Sequence, residues 1–131
     1  MAMNRSRLAK GASLVLLVLA IPIALVGSGA VADVFDSEVS IRYNDNRGVF
    51  KGRVDSTSEC EGDRRVVLFR VRPGEDKRVG SDTTSARGRW RIEKDNANGT
   101  FYVKVRRAAL AGYGTTPGDR CAGDRSPRIR V

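Results

Sequence analysis

Two cysteines and a set of paired cations are the residues in this chain whose types and spacing could do chemistry. Cys60 and Cys121 are the only thiols in 131 residues. Both sit in polar loop surroundings, Ser58-Glu59-Cys60-Glu61-Gly62-Asp63 and Gly118-Asp119-Arg120-Cys121-Ala122-Gly123-Asp124. A redox pair is usually a close Cys-x-x-Cys, and a zinc site needs further ligands. In an exported chain, an even cysteine count reads as a structural disulfide. It would close a loop of roughly 60 residues, a constraint that contributes about 4 kcal/mol in the chain-entropy treatment.

The chain contains no His. Neither a Ser-His-Asp nor a Cys-His arrangement can therefore be built, and the commonest metal ligand is missing. The carboxylates are scattered through turns and beside the cysteines, where solvated loop charge is the usual state. Asn44-Asp45-Asn46-Arg47-Gly48 is oxygen-rich, yet it lacks the acid spacing and terminal Glu of a calcium loop and reads as a turn. Asn98-Gly99-Thr100 fits a glycosylation sequon but is better read as hairpin chemistry. The expectation is a protein that is not an enzyme, with no cofactor and no metal.

The cations form a pattern. Lys51/Arg53, Arg89/Arg91, Lys104/Arg106 and Arg128/Arg130 are i, i+2 pairs on the polar faces of alternating runs. On neighbouring strands, these pairs would merge into one positive surface able to hold an anionic envelope polymer through its field. The plainer reading is that exposed strand positions are filled with Arg and offset by acidic turns. Arg42 is expected to lie elsewhere on the domain. Specific nucleic-acid recognition is not expected, because Tyr102 is the only obvious outward aromatic for stacking bases.

The elements that must position these residues follow an export segment. Arg5, Arg7 and Lys10 precede the apolar run Leu14–Val26, and Ala30-Val31-Ala32 supplies the small residues of a cleavage site. Residues 1–32 are expected to be a secretory signal peptide and 33–131 the mature domain. The alternative is an uncleaved anchor, since residues 11–32 carry no charge. Either way the domain would lie outside the cytoplasm, and any membrane contact would come through this segment alone. The whole chain has net charge +9, and losing three cations and no acid leaves the mature chain at +6.

Period-2 alternation dominates the mature chain. Val39, Ile41 and Tyr43 alternate with polar residues, and so do Phe50, Gly52 and Val54. Arg64–Arg72 is denser, with Val66 and Leu68 on one face and Val67, Phe69 and Val71 on the other. Pro73-Gly74-Glu75-Asp76 is a turn, and Lys77–Thr84 is a more polar, edge-like run. Trp90 and Ile92, then Phe101, Val103 and Val105, and finally Ile129 and Val131 complete the pattern. Asp95-Asn96-Ala97-Asn98-Gly99 is expected to close a hairpin. A long Gly-rich connection runs from about Arg107 to Arg125, and no convincing helical period appears outside the export segment. The fold class is thus all-β, a β-sandwich of about seven antiparallel strands with one disulfide. Its expected core is Val39, Ile41, Phe50, Val54, Val66, Leu68, Trp90, Ile92, Phe101, Val103, Val105 and Ile129.

The order of motifs resembles a family. Gly48-Val49-Phe50-Lys51-Gly52-Arg53-Val54, Arg65-Val66-Val67-Leu68-Phe69-Arg70, Thr84-Ser85-Ala86-Arg87-Gly88-Arg89-Trp90 and Gly99-Thr100-Phe101-Tyr102-Val103-Lys104-Val105 are similar to the prealbumin-like sandwiches. These include carboxypeptidase regulatory-like, transthyretin-like and collagen-adhesin B-like domains. The chain also resembles small secreted actinobacterial proteins of unknown role. Ser85 stands where that family often has Asp. Collagen-adhesin relatives often carry a Lys–Asn isopeptide bond, but Lys51 and Lys104 fall on polar strand faces and are not assigned that role. The resemblance implies a secreted, monomeric, non-catalytic structural or binding module of unknown ligand. One alternative is a cell-envelope polyanion-binding protein that uses the outward pairs, with an anionic polymer or a surface protein as partner. Another is a transthyretin-like small-molecule carrier.

Overall fold

The computed structural model describes residues 31–110 and 115–131. The expected signal peptide therefore lies, up to residue 30, outside the described residues. In chain order the elements are β1 (Val34–Phe35), β2 (Glu38–Val39), β3 (Arg42–Asn44), β4 (Val49–Asp55), helix α1 (Ser58–Glu61), β5 (Arg65–Arg70) and β6 (Lys77–Thr83). They continue with β7 (Arg89–Glu93), β8 (Thr100–Val105), β9 (Ala108–Ala109), β10 (Arg120–Cys121), β11 (Asp124–Arg125) and β12 (Ile129–Arg130).

Alternation becomes two stacked layers. In the first, β4 is central, with β2 and β3 along one side and β7 along the other. In the second the order is β6, β5, β8, with β11 and β12 both on the far side of β8. Val39, Phe50, Val54, Trp90 and Ile92 from the first layer meet Val66, Leu68, Phe101, Val103 and Val105 from the second in one buried cluster. At roughly 25 cal/mol per Å² of apolar surface removed from water, this interior is the main drive to fold.

The structure corrects the strand count from about seven to twelve among the described residues. The reason is geometric. β2 with β3 and β11 with β12 are single rows broken by a local irregularity, and β1, β9 and β10 form an extra three-stranded sheet. In that sheet β1 runs parallel to β10, so the sandwich is not wholly antiparallel. Ile41 and Ile129 pack against the cluster but are only partly buried, because one lies at the break between β2 and β3 and the other in the marginal row. The four-residue α1, which carries Cys60, is too short to show a helical period in sequence.

Asp95–Gly99 does not close a hairpin. β7 pairs with β4, whereas β8 pairs with β5, so this turn carries the chain from one layer to the other. The two flanking runs aim their apolar residues at the same core from opposite sides, which hydrogen-bonded neighbours cannot do. The tight hairpins among the described residues are instead β3–β4, where Asn44 faces Val49, and β5–β6, where Arg70 faces Lys77.

Both seams of the sandwich are clipped by a carboxylate. Asp82 Oδ2 in β6 accepts the Arg91 N–H of β7, and Asp124 Oδ2 in β11 accepts the Val39 N–H of β2, each at 2.8 Å. Each bond satisfies an edge-strand donor that would otherwise be open to another chain. At one end, the Cys60–Cys121 disulfide joins α1 to β10 across a Cα separation of 5.6 Å. Beside it lies Arg64, which is buried. Its guanidinium donates to Ser37 Oγ and to the carbonyls of Cys60, Arg106 and Ala122, at 2.7–2.9 Å.

Candidate anion-binding face

The outer face of the first layer gathers cations because β7 alternates strictly and β4 alternates from Phe50 onward. In β7 Trp90 and Ile92 turn inward, leaving Arg89 and Arg91 in solvent. In β4 Phe50 and Val54 turn inward, leaving Lys51 and Arg53 outward. The register then places Arg42, Lys51 and Arg91 side by side across β3, β4 and β7, and Arg53 opposite Arg89 in the next row. Cross-strand neighbours stand about 5 Å apart and successive rows about 7 Å apart, so the five side chains share a small patch.

Two glycines shape the floor and the rim. Gly52 lies under the Ser40 carbonyl, at the break between β2 and β3, and a Cβ there would run into that oxygen. Ser40 Oγ in turn accepts the Arg53 N–H at 3.0 Å, doing the work of the displaced carbonyl. Gly88 has φ +79, its carbonyl accepts the Val54 N–H at 2.8 Å, and a Cβ would meet the Val54 carbonyl. Only glycine fits that turn. The segment Asp82–Ser85 rises beside β7 as a wall, making a depression of about 820 Å³ whose lining includes Arg42, Lys51, Arg53, Arg89 and Arg91 against two carboxylates, Asp55 and Asp82. The indole N–H of Trp90, which also lines it, is buried and has no acceptor among the described residues.

The ion pairs here are loose or lacking. Arg53 reaches Asp55 at 3.3 Å and Glu61 at 3.4 Å, and its Nε donates to the Arg87 carbonyl. Arg91 meets Glu93 at 3.4 Å with both side chains more than half exposed, a geometry worth little. Arg42, Lys51 and Arg89 have no side-chain partner among the described residues. Like charges directly opposite one another destabilise a sheet. An approaching anion would turn that repulsion into attraction.

The expected site residues are thus only partly brought together. Lys51, Arg53, Arg89 and Arg91 share one face, and Arg42 belongs with them instead of elsewhere, because its strand pairs directly with β4. Lys104, Arg106, Arg128 and Arg130 ride on β8 or on the chain around it and β12, in the opposite layer, so the four pairs do not form one surface. There the cations lie over aromatic rings. The Arg125 guanidinium stands 3.9 Å from the Tyr102 ring centroid, Arg128 5.9 Å from it, and Lys104 5.5 Å from the Phe69 ring. Tyr102 is therefore buried although it faces outward, and its hydroxyl donates to Asp76 Oδ2 at 2.7 Å. That hydrogen bond, with a second from the Arg72 N–H, holds the Asp76 carboxyl below the usual range. Burial first, and then the Asp76 bond, pushes the Tyr102 phenol up.

Sequence reasoning missed Arg64, since nothing in Arg64-Arg65 distinguishes the buried cation from the exposed one. Burial pulls its pKa down. Among the described residues no group of three or more metal-ligating side chains is assembled, and no helix is long and apolar enough to cross a membrane. No family model, curated protein or solved structure matches this chain.

Proposed function

We propose that the mature domain is a non-catalytic module of the extracytoplasmic space that binds an anionic polymer on the outer face of its first layer. The observation that carries this reading is the row Arg42–Lys51–Arg91, three cations in direct cross-strand register with Arg53 and Arg89 beside them. Such a row lowers stability in the free protein, and a polyanion laid across it relieves the repulsion. The site is shallow and open, suited to a chain that lies along a surface. Export is supported by the signal-like first 32 residues and by the Cys60–Cys121 bond, which belongs to an oxidising compartment.

The test is binding to dextran sulfate, a polyanion with no fixed shape, across a salt series. Affinity should fall steeply as exposed charges are screened over about 10 Å at 0.1 M salt. Replacing Arg42, Lys51 and Arg91 with Ser should weaken binding by about tenfold or more, about 1.4 kcal/mol. Replacing three exposed cations in the hairpin turns and their margins (Arg47, Arg72 and Lys77) should weaken it far less. Equal losses from the two triple variants would leave only a diffuse charge effect and end this reading, as would the absence of binding at low salt.

A further inference from the structure

The third sheet holds a carboxylate that the polymer-binding face does not use. Asp119, just before β10, is 6% exposed. Its Oδ1 accepts the backbone N–H of Asp33 at 2.8 Å and its Oδ2 accepts the N–H of Thr116 at 2.7 Å. Asp119 makes no ion pair among the described residues. A buried carboxylate without a cation is expensive to keep. Asp33 is also the residue that the small-residue pattern Ala30-Val31-Ala32 places first in the mature chain, and Val31 is 83% exposed.

We propose that removal of the export segment creates a latch, in which the new amino terminus of Asp33 is captured by Asp119. A processing peptidase specific for small residues adds water across the Ala32–Asp33 bond. The C–N bond breaks, Ala32 leaves as a carboxylate, and the Asp33 nitrogen takes up protons to become an ammonium. In the precursor Asp119 faces a neutral amide N–H. In the processed chain it faces a full positive charge in the same place, and the contact becomes a charge-assisted ion pair in a desolvated position. The consequence extends along β1. The Asp33 carbonyl accepts the Arg120 N–H at 3.0 Å, the Phe35 carbonyl accepts the Ala122 N–H at 2.8 Å, and β1 pairs in parallel with β10, which carries Cys121. A two-residue strand has little hold of its own. The latch fixes the residue just before this strand beside the disulfide, so that processing and complete folding of this sheet are coupled.

The experiment uses the exported, disulfide-bonded protein as the cell processes it. Mass spectrometry should find Asp33 as the first residue. A reagent selective for α-amines should acetylate the folded protein about tenfold more slowly than the unfolded one, since an ammonium held by a carboxylate is a poor nucleophile. Asp119→Asn should abolish that protection, and Asp36→Asn should not. Protein acetylated while unfolded and then refolded should melt about 5 °C below the free-amine form. This last comparison needs no substitution, so it decides the matter even if Asp119→Asn folds poorly. Equal melting of the blocked and free forms, or a different first residue, would overturn the latch. Asp119 would then serve only to accept the Asp33 N–H and to cap the 116–119 turn.

Discussion

Arg64 and Arg42 carry the same guanidinium into opposite surroundings. Arg64 is buried beside the disulfide with four oxygen acceptors around it, drawn from the chain before β2, from α1, and from the segments after β8 and β10. Arg42 stands in solvent beside Lys51, which stands beside Arg91. The first cation is consumed by the fold, since removing it strands carbonyls in the interior. The second stands in register with like charge, an arrangement that costs a sheet stability. A charge that weakens its own protein is a stronger sign of a ligand than one that is merely exposed.

The contrast can be broken most decisively at Arg64. Arg64→Met should lower stability by about 3 kcal/mol or more, because at least three carbonyls lose their donor inside the protein. Arg64→Lys should recover little of it, as an ammonium cannot fork to acceptors on both sides. Denaturant unfolding with the disulfide intact measures both. A loss below about 1 kcal/mol would mean that water replaces the guanidinium and that Arg64 is no keystone.

Lys51→Thr has the opposite sign. It should raise stability by about 0.5 kcal/mol, from relief of repulsion on both sides and from a better strand residue, while weakening dextran sulfate binding. Unfolding and binding measured on the same preparation give the two signs together. If both properties fall, Lys51 is a structural residue and the crowding argument fails.

The smallest expected effect lies on the opposite layer, where cations cover aromatic rings. Asp76 is held below its ordinary range, so the stability it contributes is present above that range and is lost as pH falls through its folded value. Tyr102 is pushed up, so its contribution is present below the ordinary phenol range and is lost as pH rises through the folded value. Tyr102→Phe removes the shared hydrogen bond. The stability gap between wild type and variant should thus be widest near neutrality and should narrow in both strong acid and strong alkali. A gap independent of pH would show that packing, and not the Tyr102–Asp76 bond, is what the variant loses.

Most of the layered fold was legible because each residue pair votes independently on which face is inward. Trp90 and Ile92 in β7, and Phe101, Val103 and Val105 in β8, lie buried where their alternation put them. Which strands are neighbours was less legible. Asn98-Gly99 has hairpin chemistry, but the partners of β7 and β8 are decided by which core face each must cover. For the same reason the pairs on β4 and β7 became neighbours and those around β8 and β12 went to the other layer, while Arg42 moved into the face from which it had been set apart. Tyr102 looked available for stacking because its covering residues, Arg125 and Arg128, arrive from a segment more than twenty positions later in the chain.

The most direct measurement of the central claim is an amide chemical-shift titration of the folded protein with sucrose octasulfate, a compact polyanion that fits one patch. The shifts should concentrate on Arg42, Lys51, Gly52 and Arg89–Arg91, with Asp82–Ser85 along the wall following them. They should fade together as salt is raised toward about 0.5 M, where the screening length has fallen well below 10 Å. Shifts spread evenly over the exposed cations, with Arg47 and Arg72 moving as far as Lys51, would contradict the account and reduce the basic face to net charge alone.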